Sequence, residues 1–181
     1  MMKQISRLLV IAALPLASNM AQAAPEPGQV FFDCDTKEGH STEMALNLRD
    51  DQKIVTGTIS VHQLYADPQW FPTALVELAS ESAAVGIRLK IGRIERGAVA
   101  QERKVSIVFH RTVKGEQPVE VELGSVPVGK DMPFSIEIRA KDIFLRLGDF
   151  SRTAPLALGR THKLRLGCST GQFTFTDIFP H

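Results

Sequence analysis

The sequence predicts an all-β protein: an antiparallel sandwich of two sheets. Three observations carry this. Apolar and polar residues alternate with period two in about ten short segments, the signature of strands buried on one side. Turn-forming residues separate the segments, and no long amphipathic helix intervenes to make parallel crossovers. Each segment is apolar on one face and carries charges and hydroxyls on the other, which fits two sheets around one dry interior. A closed, open-centred barrel is the competing architecture.

The chain opens with a leader. Lys3 and Arg7 form a positive start, residues 8–17 are apolar, and Ala21-Gln22-Ala23 fits the small-x-small rule for signal peptidase. Residues 1–23 therefore read as a secretory signal, and 24–181 as one domain. The apolar run is too short to span a bilayer as a mature helix, and no cysteine follows it to carry a lipid. No second such run exists, so no transmembrane segment is expected in the mature chain. Removing the leader takes away two basic residues and no acidic ones. That leaves 158 residues with 19 basic against 20 acidic side chains. This length fills one core and hardly two. With 44% hydrophobic residues the chain is too apolar to be disordered. Its charge is too balanced for a dedicated nucleic-acid binder. The expected location is the periplasm or the medium.

The strands follow in order. Residues 29–34 form a short first strand. Met44, Leu46 and Leu48 alternate with Ala45, Asn47 and Arg49, and 50–52 is a turn. Val55, Ile59 and Val61 point one way while Thr56, Thr58, Ser60 and His62 point the other. Residues 72–79 read as a strand or as one short helix with Pro72 in its first turn. Period-two alternation then marks 87–91, 104–110, 119–123, 134–139, 143–147, 162–166 and 173–176. The only cysteines are Cys34, in the first strand, and Cys168, in the next-to-last. An even pair in an exported protein normally forms a bridge, here a clasp between the two ends of the domain.

The C-terminal half resembles the concanavalin A-like sandwiches, which include laminin-G-like and lectin-like jelly rolls. The residues that carry this are Pro133-Phe134-Ser135-Ile136-Glu137-Ile138-Arg139 and Ile143-Phe144-Leu145-Arg146-Leu147. Lys163-Leu164-Arg165-Leu166-Gly167-Cys168 and Phe173-Thr174-Phe175-Thr176-Asp177-Ile178 continue the series. The likeness covers roughly residues 84–178 and is one of pattern, with no member's signature set present. It implies neighbouring first and last strands, which suits a Cys34–Cys168 bridge. It also implies binding of a glycan or a protein surface.

Candidate site residues fall into a few groups. Tyr65, Trp70 and Phe71 bracket a turn-rich segment and include the only Tyr and the only Trp. Flat rings on a loop suit stacking on sugars or anchoring a partner; the alternative is a loop folded back over the core. His62 and His110 sit on polar strand faces and would meet at a sugar or a metal if their strands were close. With no third ligand indicated, no metal site is expected. Asp33 and Asp35 do not fit the spacing of a calcium loop. Glu120 and Glu122 are about 7 Å apart along one strand face, near the lower end of inverting-glycosidase spacing, yet plain alternation also produces such a pair. Glu77, Glu81 and Glu137 have no supporting motif. Gly167 to Gly171 matches G-x-S-x-G, with Asp177 and His181 in triad order, but a strand follows where the hydrolase elbow needs a helix. This stretch reads as a tight turn near the bridge. Arg88, Lys90, Arg93, Arg96, Arg103 and Lys104 form a basic stretch that could attract an acidic polymer, such as an acidic glycan or a lipopolysaccharide surface; in a chain near neutral overall it reads rather as a solvated strand face.

With no convincing catalytic set and no cofactor motif, the expected function is a non-catalytic, exported module that binds a glycan or a cell-envelope protein. The alternatives are a glycoside hydrolase or polysaccharide lyase on the same scaffold, and a structural or inhibitory envelope partner.

Overall fold

The computed structural model describes residues 29–65, 67, 69–91, 104–156, 158 and 162–181. The leader expected over 1–23, and Arg93, Arg96 and Arg103 of the basic stretch, lie outside them. The described residues form ten antiparallel strands and no helix: β1 (Val30–Asn47), β2 (Ile54–Leu64), β3 (Thr73–Ala79), β4 (Ala83–Ile91), β5 (Lys104–Val113), β6 (Val119–Pro127), β7 (Met132–Ile138), β8 (Asp142–Leu147), β9 (Phe150–Pro155) and β10 (Lys163–Pro180). The ambiguous 72–79 stretch is strand β3, completed by pairing with β10 on one side and β4 on the other.

The pairing order is β6-β5-β4-β3-β10-β2-β7-β8-β9, with β1 alongside β10. β10 pairs β3 through Lys163 to Ser169 and β2 through Gly171 to Pro180. β1 follows it on the other edge along its whole length. Both long strands therefore belong to two layers and turn the corner between them. The first layer is β6-β5-β4-β3-β10-β1, and the second is β9-β8-β7-β2-β10-β1. The path ends at β6 and β9, so two sheets form rather than a closed barrel.

This corrects two expectations. The two segments expected over 29–34 and 44–49 belong to one strand, β1 (Val30–Asn47), bent by a register shift between Thr36 and Ser41, with Gly39 at φ 70° in the bend. Residues 167–171 are not a turn between two strands. They lie within β10, where Thr170 takes φ 55° at the corner. Cys168 therefore lies in the last strand. The same Gly/Ser/Thr composition that favours a hairpin turn also lets a strand bend where it changes sheets.

The core lies between the layers. Val85, Ile87 and Leu89 of β4 and Val105, Ile107 and Phe109 of β5 face it from the first sheet. Phe134, Ile136, Leu145, Phe173 and Phe175 face it from the second, all buried. Burying each such side chain contributes about 1.5–3 kcal/mol. Cys34 and Cys168 are bridged with Cα atoms 6.0 Å apart, at the corner where β1 and β10 pass between sheets. No described helix is long and apolar enough to cross a membrane.

Candidate functional site

The strand register decides what the outer face of the first sheet presents. Side chains alternate, so residues paired across strands and facing outward line up in rows. One row reads Glu120, His110, Gly86, Glu77, Arg165 and Ala45 from β6 to β1. The next reads Glu122, Val108, Arg88, Leu75, Gly167 and Glu43. The third reads Ser125, Ser106, Lys90, Thr73, Ser169 and Ser41. The second row, and the third apart from Ser125, are the floor of a groove of about 820 Å³.

The loop between β2 and β3 builds one wall. Asp67 Oδ1 accepts the backbone N–H groups of Gln69 and Trp70, each at 2.7 Å, which closes a side-chain-capped turn. The Phe71 carbonyl accepts hydroxyls from Thr73 and Ser169, both at 3.0 Å, and so ties the loop to the floor. Trp70 and Phe71 line the groove and remain 48% and 52% exposed. The Trp70 ring passes close to Gly39, where a Cβ would come within 3.7 Å of it.

The floor carries paired charges. Glu120 receives Arg88 at 2.8 Å and Lys90 at 2.6 Å, and Ser106 donates to Glu122 at 3.1 Å. The Lys90 hydrogen bond, helped by the charges of Lys90 and Arg88, holds the Glu120 carboxyl below its usual range. At the β1 end, Arg165 forks onto Glu43 through Nε at 2.8 Å and Nη2 at 2.6 Å. Those bonds lower the Glu43 pKa and raise that of Arg165. Arg165 Nη1 also reaches Glu77 at 2.7 Å.

Glu77 in turn meets His110 at 2.6 Å, and both are buried, at 5% and 3% exposure. The contact spans β4, because Gly86 stands between their strands. A methyl there would collide with the carbonyl of Val76 and come within 2.8 Å of His110 Cε1. An ionised Glu77 accepts, so His110 Nε2–H donates. The chain Glu43–Arg165–Glu77–His110 therefore crosses the sheet alongside the groove, in the row next to its floor.

The expected site residues separate in space. Trp70, Phe71, Arg88, Lys90, Glu120 and Glu122 converge on the groove. Tyr65 does not line it. Its hydroxyl lies 3.5 Å from Asp35, and loss of water contact together with that negative charge raises its pKa. His62 is exposed and bonds Thr174 at 2.8 Å on the second sheet, so it does not meet His110. Glu137 pairs with Arg139 at 2.9 Å on the second sheet. No cluster of three or more metal-ligating side chains occurs among the described residues. Reading the residues missed Glu43, Arg165 and the hydroxyls of Ser41, Ser106 and Ser169, whose convergence depends on long-range register alone.

No protein-family model and no curated protein matches the sequence. Solved structures do share its fold. A marine PL7 alginate lyase from Zobellia galactanivorans superposes with TM-score 0.55 at 10% identity, over 83% of this chain and 76% of that one. An alginate lyase from Alteromonas sp. 272 gives 0.51 at 9% identity, over 74% and 76%. A GH16 protein of the Bacteroides ovatus mixed-linkage glucan system, in complex with a product, gives 0.51 at 8%, over 83% and 79%. At these identities the likeness concerns the fold: an antiparallel jelly-roll sandwich of the concanavalin A-like kind.

Proposed function

We propose that this protein is an exported, non-catalytic glycan-binding module whose ligand lies in the groove on the first sheet. One observation carries the reading. Two half-exposed aromatic rings, Trp70 and Phe71, flank a groove floored by hydroxyls, by the Arg88–Glu120–Lys90 trio and by Glu122, which accepts from Ser106. Sugar rings present apolar faces that stack on aromatics and hydroxyls that bond to such a floor. The fold is shared with two alginate lyases and a mixed-linkage glucan protein, which agrees with a glycan ligand. The leader and the Cys34–Cys168 bridge agree with export to an oxidising compartment.

The test is calorimetric titration with polysaccharides selected on a glycan array. Trp70→Ala is expected to weaken binding at least about tenfold, roughly 1.4 kcal/mol, while leaving the melting temperature within a degree or two. Unchanged affinity with a lowered melting temperature would make Trp70 a core residue and overturn the reading. Recovery of one stoichiometric protein from envelope extract, with no glycan bound, would favour the envelope-partner alternative.

A hydrolase or lyase on the same scaffold is the second reading, and the buried His110–Glu77–Arg165 cluster favours it. Against a hydrolase, Glu43 and Glu120 are both held below the ordinary carboxylate range, which does not suit either as the general acid. Release of reducing ends or unsaturated products from a polysaccharide panel would establish this second reading.

A further inference from the structure

We infer that the groove takes an internal stretch of a linear, uncharged polysaccharide lying across the strands, rather than a chain end or a single terminal sugar. The inference rests on the glycan reading and concerns the shape and charge of that ligand.

Three observations carry it. First, the lining residues come from all six strands of the first sheet, from Glu43 on β1 to Glu120 and Glu122 on β6. Five inter-strand spacings make a length of about 24 Å. The volume, about 820 Å³, stands near the upper end of the roughly 300–1,000 Å³ of small-ligand sites. Second, β1 and β6 are the outermost strands of this sheet, so among the described residues no strand closes either end. A polymer can enter at one edge and leave at the other. Third, the chemistry is graded along the groove. The β1–β10–β3 part holds Trp70, Phe71 and the hydroxyls of Ser41, Thr73 and Ser169. The β4–β5–β6 part holds the Arg88–Glu120–Lys90 trio. A disaccharide can engage one part and only a longer chain engages both.

The charges of the lining restrict the ligand further. The lining sets two cations, Arg88 and Lys90, against three carboxylates, Glu43, Glu120 and Glu122, so a uronate would bring a fourth negative charge and compete with these for the same two cations. A neutral sugar has no such competition. Its paired hydroxyls can donate to Glu120 and accept from Lys90 or Arg88 while the trio stays intact.

The experiment uses the mature protein and oligosaccharide ladders, from disaccharide to octasaccharide, of β-glucan, xylan, mannan and polyuronate. Each ladder is prepared with free and with capped ends. Affinity for a neutral ladder is expected to rise about tenfold or more as length bridges both parts of the groove. Capping the ends is expected to change nothing. Trp70→Ala is expected to weaken the octasaccharide at least about tenfold and Glu120→Gln severalfold. If one of them weakens the disaccharide, the other does not. Full affinity at the disaccharide, loss on capping, or preference for the polyuronate ladder would overturn this inference and leave the glycan reading standing. Binding to no ladder and no arrayed glycan would overturn both.

Discussion

At the scale of single residues, Gly86 and Glu77 explain how a histidine comes to be buried on the outer face of the first sheet, in the row beside the groove. His110 reaches Glu77 only because nothing projects from Gly86 between them. Gly86→Ala is expected to lower stability by at least about 2 kcal/mol, since its methyl meets backbone that cannot yield. A denaturant midpoint measured beside wild type checks this. Glu77→Ala leaves the His110 N–H buried without its acceptor, a loss of about 1–3 kcal/mol. Arg165 keeps Glu43, so that change is not expected to collapse the whole ion chain. Little of this was legible in the sequence. Glu77 and His110 are separated by 33 residues, and each reads alone as an ordinary outward residue of its strand. Trp70 and Phe71 were legible because their types are rare here and their loop is rich in turn formers. Arg165 was not, since its neighbours on the face come from strands distant in sequence.

At the scale of elements, β1 and β10 control the architecture. Most other strands were legible because strict alternation needs one dry face and one wet face and names no partner. The two long strands were misread as four because they change sheets midway, and the residues that allow the bend, Gly39 and Ser169-Thr170-Gly171, look like punctuation. The bridge at that corner closes a loop across a sequence separation of 134. The chain-entropy model gives such a loop at most about 5 kcal/mol. Replacing both cysteines by alanine is expected to cost about 2–5 kcal/mol, read as a lower melting temperature. Dithiothreitol is expected to lower the wild-type melting temperature and to leave the double variant unchanged.

At the scale of the whole molecule, the paired carboxylates set the response to acid. Hydrogen bonds from Arg165, Lys90 and Arg139 hold Glu43, Glu120 and Glu137 below the ordinary glutamate value of 4.5. A lowered folded-state pKa gives stability that is present above the unfolded value and disappears as pH falls through the folded one. Stability is therefore expected to hold from neutrality down to about pH 4.5 and to decline below it. All three groups lie near solvent, so the slope is shallow and added salt reduces it. Urea midpoints at neutral and acid pH, with and without salt, check this. The shared position of β10 has one more consequence. β10 is the strand on which both layers pair, with β3 along one half and β2 along the other. A chain stopped before Lys163 is expected to show no cooperative thermal transition, because neither layer can close without that strand. Neither layer can therefore form ahead of the other, and the two fold and unfold as one unit.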